Sequence, residues 1–316
     1  ICKADGSRVH VSLGEKEGEP KFVITDLLPH LAREQEKRTL EEGIRGEELN
    51  ILVGSRPFCR DKGSELVKLN ILRLLHEKYG MTEKDFLSAE LEVVPAGRAR
   101  ELGFDRSMVL GYGQDDRVCA YTSLVAQLGI EDPERTAVTI LVDKEEIGSV
   151  GATGMESLFF ENAIAEIMEL AGEGGLVRLR RALANSKMLS SDVSAGIDPG
   201  YLSVFEKKNA AMLNLGVCFN KYTGSRGKSG SSDAPAEFVA KIRRLCHDGG
   251  VVWQMGELGK VDAGGGGTVA QYMANRNILT LDTGVPVLSM HAPIEVVSKM
   301  DCYMTMKAMN VFFHDK

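Results

Sequence analysis

Two adjacent glutamates, Glu145 and Glu146, are the most specific chemical feature of this sequence. They follow the continuous apolar run 136–142, which predicts a strand buried on both faces. Carboxylates at the end of a buried strand are unfavourable unless a positive group meets them. The pair therefore suits a hydrolytic metal site, in which one carboxylate binds the metal and the other takes a proton from water. An acidic turn in solvent is the alternative.

Three further side chains stand at comparable places in the sequence. Asp115 precedes a predicted helix at 118–128, Asp192 follows a predicted strand, and His291 follows the apolar run 285–288. Taken singly, Asp115 could be a helix cap and His291 a core or surface histidine. Ligands in open α/β sheets bind at the carboxyl ends of the strands. Carboxylates and an imidazole at successive strand ends therefore predict a site for metals that take oxygen and nitrogen ligands.

The elements that must position these residues follow a βα alternation from about residue 98 onward. Buried strands separated by helices predict an α/β fold with helices on both faces of a sheet. Helices are predicted at 118–128, 159–171, 176–184, 236–246 and 300–313, and strands at 136–142, 211–219, 251–254 and 278–282.

The first ~97 residues have a different pattern. Alternation predicts strands at 8–13 and 88–94, and leucine spacing predicts a helix at 63–79. The charged run 31–50 has few apolar anchors, which is typical of a solvated helix or a loop. We therefore expect a separate domain over residues 1–97 and an α/β domain over residues 98–316.

Five separated segments resemble, in order, the motifs of the aspartyl aminopeptidase family of dinuclear zinc peptidases. The segments are QDDRVCAYTSL (114–124), LVDKEEIGSVGATG (141–154), SSDVSAGIDPGY (190–201), GGGGTVAQ (264–271) and VPVLSMHAPIEV (285–296). The resemblance implies removal of the N-terminal residue of peptides with two zinc ions, or with Mn²⁺ or Co²⁺. It also implies a three-layer α/β/α catalytic domain interrupted by a smaller β-rich dimerisation insert, which residues 1–97 resemble.

The resemblance assigns a role to each candidate residue. Asp115 would bridge both metals, and Glu145 would be the general base. Glu146, Asp192 and His291 would each be a terminal metal ligand. The family's first zinc-ligating histidine belongs to an upstream His-x-Asp segment that has no counterpart in these 316 residues. We therefore expect an N-terminal part of the catalytic domain to be missing.

Other residues are candidates for substrate binding. The glycines before Thr268, ending at Gly267, would let backbone approach a bound peptide, although such a loop could also cradle phosphate. Lys221, Arg226 and Lys228 could neutralise an acidic first residue of the substrate, or could form a solvated loop. His30 resembles a family residue that reaches a neighbouring subunit's active site.

Composition limits the alternatives. A net charge of −7 argues against a dedicated nucleic-acid binder. The sequence contains no run of eighteen apolar residues, so it predicts no membrane-spanning helix. Six cysteines without a CxxC pair indicate a reducing compartment, and we expect the cytoplasm. The family resemblance implies dimers that assemble into a tetrahedral dodecamer. The alternatives are a non-catalytic or truncated member acting in assembly, and a related two-metal deacylase or carboxypeptidase.

Overall fold

The computed structural model of this protein describes residues 1–59, 62–226, 229–230 and 232–315. It contains two compact units, Ile1–Arg98 and Ala99–Lys316. Lys228 lies outside the described residues.

The first unit contains little regular structure. Its two short strands, β1 (Val23–Ile24) and β2 (Ile51–Leu52), pair antiparallel, and its one described α-helix is α1 (Leu66–Tyr79). Helix α1 confirms the helix predicted at 63–79, and it ends at Gly80 in the left-handed conformation that glycine adopts without strain. The strands predicted at 8–13 and 88–94 are wrong. In these two segments the structure shows only an isolated bridge between Arg8 and Cys2. An alternating pattern is not sufficient for a strand, because a strand also needs a partner to pair with.

The second unit contains nine strands and six helices in its described residues. In chain order they are β3 (Arg100–Leu102), β4 (Met108–Gly111), α2 (Gln114–Leu128), α3 (Phe159–Leu170), α4 (Leu176–Ala184), β5 (Lys187–Ser191), β6 (Ser194–Ala195), β7 (Val217–Asn220), α5 (Ala236–Asp248), β8 (Trp253–Met255), α6 (Ala270–Ala274), β9 (Leu279–Gly284), β10 (Pro286–Leu288), β11 (Glu295–Ser298) and α7 (Lys299–Phe313). The predicted helices are all confirmed to within a few residues.

Two sheets position the candidate residues. The first has the strand order β5-β9-β7-β8, and the second has the order β3-β4-β11-β10-β6. In the first sheet β5 runs parallel to β9, with Ser190 paired to Asp282. In the second sheet β11 pairs antiparallel with both β4 and β10.

Successive side chains of β5 pack against two different layers of helices, one on each face of the first sheet. Leu189 packs in a cluster with side chains of α2, α5 and α7. Its neighbour Met188 packs with Leu183 of α4 and Met273 of α6. Because successive side chains of a strand point to opposite faces, the sheet lies between two layers of helices. The predicted three-layer α/β/α architecture is confirmed.

The strand predicted at 136–142 is wrong. The segment pairs with no strand among the described residues, and none of its side chains is fully buried. Ile140 and Val142 pack against the α4 and α6 cluster, whereas Leu141 is 59% exposed. Its hydrogen bonds go instead to Gln127 of α2, whose side chain lies 3.2 Å from the Ala137 carbonyl oxygen and 3.0 Å from Thr139 Oγ1.

Candidate metal centre

A single cavity of 430 Å³ collects all five residues for which the sequence predicts catalysis or metal binding. Asp115, Glu145, Glu146, Asp192 and His291 all line it. They come from five separated segments, so the fold brings together side chains as far apart in sequence as Asp115 and His291. Gly267 and Thr268 line the same cavity.

Three of these side chains meet at one point. His291 Nε2 lies 3.0 Å from Asp115 Oδ2 and 3.3 Å from Glu146 Oε1. One potential ligand atom from each of the three residues lies within 4.8 Å of the other two. One imidazole and two carboxylates would supply three nitrogen and oxygen ligands to a zinc ion, which leaves a fourth coordination position for water or substrate.

A second group shares Asp115 with the first. One oxygen each of Asp115, Asp116 and Asp192 also lies within 4.8 Å of the others. Oδ1 of Asp116 is buried and has no hydrogen-bond partner, which is unfavourable for a carboxylate oxygen unless something else meets it. A cation at this point would satisfy it, so the donor set fits a second metal beside the first, with Asp115 between them.

The local backbone aims these carboxylates at the cavity. Asp115 and Asp116 have non-helical dihedral angles at the start of α2. Their side chains therefore do not point in the directions that regular helix geometry would give them. Glu145 and Glu146 lie in a short 3₁₀ turn, Glu145–Ile147, which is flanked by left-handed Lys144 and Gly148. The turn replaces the strand end that the sequence predicted for this pair.

Burial among like charges perturbs the carboxylates. Burial first, and then the nearby Glu146 carboxylate, raises the pKa of Asp115 to about 6. Burial also raises the pKa of Asp192 and Asp116 well above the usual range, with further contributions from neighbouring carboxylates. The pKa of Glu145 is raised by burial and by Glu146. Carboxylates held together in this way favour binding of a cation, because a cation offsets both their desolvation and their repulsion.

Glu295 supports two of the candidate ligands from behind. This carboxylate is 2% exposed, and it accepts backbone N–H hydrogen bonds from His291 at 2.8 Å and from Asp115 at 3.2 Å. His291 adopts a left-handed φ of 65°, which is uncommon for a residue other than glycine. The sequence reasoning missed Glu295, although a charged residue in the apolar segment 294–297 was a signal that could have found it.

A hydroxyl and carboxylate network lies in another part of the cavity wall. The Thr268 hydroxyl donates to the carboxylate of Asp282, lies 3.1 Å from Ser190 Oγ and accepts from the backbone N–H of Ala270. Asp282 is 5% exposed, and burial raises its pKa to about 7. The sequence reasoning missed Asp282, which stands inside a strand rather than at a strand end. The network fixes the loop before Thr268 against β5 and β9.

The other residues predicted to bind substrate lie in different environments. Lys221 is not among the described residues that line the cavity, and its ammonium lies 2.6 Å from Asp233. Arg226 is exposed. His30 lies in the first unit, exposed in the short turn Pro29–Leu31. Their roles in substrate binding stay predictions.

Comparison with known proteins places this site in a family. The family model described as aminopeptidase I zinc metalloprotease (M18) matches residues 1–313. This chain belongs to the M18 aminopeptidase family. It is 54% identical over 315 residues to a probable M18 family aminopeptidase 1 of Clostridium acetobutylicum, covering 100% of this chain and 68% of that protein. It is 44% identical over 319 residues to a protein of the same description in Borreliella afzelii, covering 100% of this chain and 69% of that protein.

Solved M18 structures have the same fold. The crystal structure of aminopeptidase I from C. acetobutylicum matches with a TM-score of 0.93 and 53% identity, covering 100% of this chain and 68% of that chain. The M18 aminopeptidase from Thermotoga maritima matches with a TM-score of 0.95 and 43% identity, covering 99% and 69%. The expected family and metalloaminopeptidase activity are thereby confirmed.

The M18 match also identifies the kind of metal. The family is one of zinc metalloproteases, in agreement with the zinc that the family resemblance implies. No helix among the described residues has both the length and the apolar character needed to cross a bilayer.

Proposed function

We propose that this protein removes the N-terminal residue of peptides at a site that holds two zinc ions, with Mn²⁺ or Co²⁺ as alternatives. The observation that carries the proposal is that two ligand groups share Asp115. His291 and Glu146 would complete the first metal site, and Asp192 would complete the second. Asp115 would bridge the two ions.

Glu145 is the proposed general base. It lines the cavity beside Glu146, yet it belongs to neither group of converging ligand atoms, which leaves its carboxylate available for proton transfer. Its raised pKa suits this role, because a base with a pKa closer to the working pH can both take and return a proton. Glu145 would take a proton from the attacking water and pass it to the amine that leaves.

Bound zinc would supply charge stabilisation and a more acidic water. The chain's own residues would then bind, orient and exchange protons. Asp115, Glu146, Asp192 and His291 would fix where the positive charge lies. The glycine-rich wall ending at Gly267 leaves space in which the peptide backbone can lie.

We further propose that residues 1–97 form a dimerisation insert and that dimers assemble into a tetrahedral dodecamer. Support comes from large apolar side chains that are exposed in this unit, including Leu31 at 69%, Leu40 at 99% and Ile44 at 71%. A mApe1 from S. cerevisiae forms a dodecamer, and it shares the fold with a TM-score of 0.64 at 20% identity. In such an assembly His30 would reach a neighbouring active site.

The free cysteines suit a reducing compartment, for which we propose the cytoplasm.

The test compares two peptides that differ only at the amine. Purified protein with added zinc should cleave the first residue from a peptide with a free α-amine, and it should leave the N-acetylated peptide intact. Chelation should abolish turnover and zinc should restore it. Release of acetate would indicate a deacylase instead, and release of the last residue would indicate a carboxypeptidase. Zinc binding without hydrolysis of either peptide would favour the role in assembly.

A further inference from the structure

The turn that carries Glu145 and Glu146 is joined to helix α6 by one side chain. The Tyr272 hydroxyl donates to the Gly148 carbonyl oxygen at 3.0 Å, across 124 positions of sequence. Gly148 directly follows the short turn Glu145–Ile147 and has a left-handed φ of 95°. Tyr272 therefore holds the backbone three residues after the proposed general base.

The backbone hydrogen bonds of the turn itself are short-range. The Gly148 N–H donates to the Glu145 carbonyl oxygen at 2.9 Å, and the Ser149 N–H donates to the Lys144 carbonyl oxygen at 2.7 Å. These bonds set the shape of the turn but not its place beside the cavity, because both partners of each bond belong to the same short segment. A bond to a distant element constrains that place, and Tyr272 supplies one.

Tyr272 is itself held in place. Its ring packs against a buried cluster that contains Met155 and Met273. Its carbonyl oxygen accepts a 2.6 Å hydrogen bond from Arg276, whose guanidinium also donates to the Ser157 carbonyl oxygen at 3.2 Å. Met155 and Ser157 belong to the loop that follows the turn, so α6 is bound to this loop as well. The hydroxyl therefore reaches the turn from a ring whose position is fixed.

Glu145 depends on this support more than Glu146 does. A zinc ion in the first site would hold the Glu146 carboxylate directly. Glu145 belongs to neither group of converging ligand atoms, so its carboxylate is positioned through the backbone of the turn. A general base must lie within hydrogen-bond reach of the proton that it takes, and a small displacement lowers turnover.

We infer that Tyr272 is a positioning residue for Glu145 and that it acts through the Gly148 carbonyl oxygen. Loss of its hydroxyl leaves the turn free to shift relative to the cavity, while the fold and the bound metal are retained. This inference rests on the proposed aminopeptidase function, in which Glu145 is the general base.

Tyr272→Phe tests the inference, because it removes the hydroxyl and keeps the ring. For the zinc-loaded protein we expect kcat to fall about three- to tenfold, the range for loss of one ordinary hydrogen bond. KM and zinc content should change little. Tyr303→Phe is the matched control, since Tyr303 is 52% exposed on α7 and lies outside the cavity lining. It should leave kcat unaltered.

A double-mutant cycle with Glu145→Gln shows whether Tyr272 acts through the base. If Tyr272 positions Glu145, Tyr272→Phe should cause no further loss of kcat in a protein that already carries Glu145→Gln. A loss by the same factor in both backgrounds would overturn the inference, because the hydroxyl would then act independently of Glu145. An unchanged kcat in Tyr272→Phe alone would overturn it as well.

Hydrogen exchange of the zinc-free protein reports on the turn without any turnover. The amide hydrogens of residues 145–149 should exchange about three- to tenfold faster in Tyr272→Phe than in the wild-type protein, and Tyr303→Phe should not alter their exchange. If no peptide were hydrolysed, the proposed function would fail, and faster exchange in Tyr272→Phe would still support its role in positioning the turn. Unaltered exchange in Tyr272→Phe would overturn the inference whether or not peptides are hydrolysed.

Discussion

Glu295 holds the backbone of His291 through a 2.8 Å hydrogen bond from the His291 N–H to Glu295 Oε1. The other carboxylate oxygen accepts the backbone N–H of Asp115. Two residues proposed to bind metal, which are remote in sequence, therefore depend on one buried side chain that lies behind them. Strand β11 carries Glu295 and pairs with β4 at Gly111, so the second sheet fixes where this carboxylate lies.

Replacing Glu295 by Gln should weaken zinc binding. The amide can accept only one of the two backbone N–H groups, so either His291 or Asp115 loses its support. We expect zinc affinity to fall on the order of 10–100-fold, as is typical when a group that orients metal ligands is changed. Competition with a chelator of known affinity measures it.

Glu161→Gln is the matched control for Glu295→Gln. Glu161 is also buried and ionic, and its carboxylate lies 2.6 Å from Arg276 and 3.0 Å from Arg180. Both variants should lower the thermal midpoint, whereas only Glu295→Gln should lower zinc affinity. Equal zinc affinities in the two variants would show that Glu295 has no special relation to the metal centre.

Glu145 and Glu146 are neighbours with different predicted roles, so their Gln variants should differ. Glu145→Gln should retain zinc while kcat falls on the order of 10²–10⁴-fold, because a general base is lost. Glu146→Gln should lose zinc, because it removes a ligand. Zinc content by mass spectrometry and kcat at saturating zinc check both. Full turnover by Glu145→Gln would show that Glu145 is not the general base.

Asp282 makes a testable contribution to the pH dependence of stability. Its pKa rises from 3.8 in the unfolded chain to about 7 in the folded protein, so the folded state binds this proton more tightly. The resulting stabilisation is complete below pH 3.8 and is lost as the pH rises towards 7. The shift corresponds to roughly 4 kcal/mol at most.

Urea unfolding of the protein and of Asp282→Asn, at pH 5 and pH 8, isolates this contribution. Other groups titrate alike in the two proteins, so the difference between their pH dependences reports Asp282. The wild-type protein should lose more stability than Asp282→Asn between the two pH values. Parallel changes in both proteins would mean that Asp282 titrates normally.

Thr268 should be important for its hydroxyl rather than for its shape. Thr268→Val keeps the shape but removes the donor to Asp282 and the acceptor for Ala270 N–H. We expect a loss of about 1–3 kcal/mol in the free energy of unfolding, because buried polar groups are left without partners. Thr268→Ser keeps the hydroxyl and should lose much less in the same urea experiment. Similar losses for both variants would contradict this account.

Sequence patterns were sufficient where local physics decides the structure. Helix α4 has the bounds that its apolar spacing predicts, and α1 ends at the glycine that predicts its end. The prediction that Asp192 and His291 lie close together also followed from local signals, since polar residues after apolar runs mark strand ends. Asp115 was predicted from its place before a helix. The roles of these residues stay predictions.

What the sequence could not reveal depends on partners distant in the chain. Residues 136–142 have the composition of a buried strand, yet Gln127 rather than a neighbouring strand meets their backbone. Glu295 acts on Asp115 across 180 positions, and no periodicity encodes that contact. The site was thus predictable in its ligand types, but not in the carboxylate that supports them.

The proposed function requires that Asp115 lie between two zinc ions. Crystals grown with zinc, with diffraction recorded on both sides of the zinc absorption edge, test it directly. We expect two anomalous peaks about 3.5–4 Å apart, both beside Asp115. One should also lie beside Glu146 and His291, and the other beside Asp192. A single peak, or peaks away from Asp115, would contradict it.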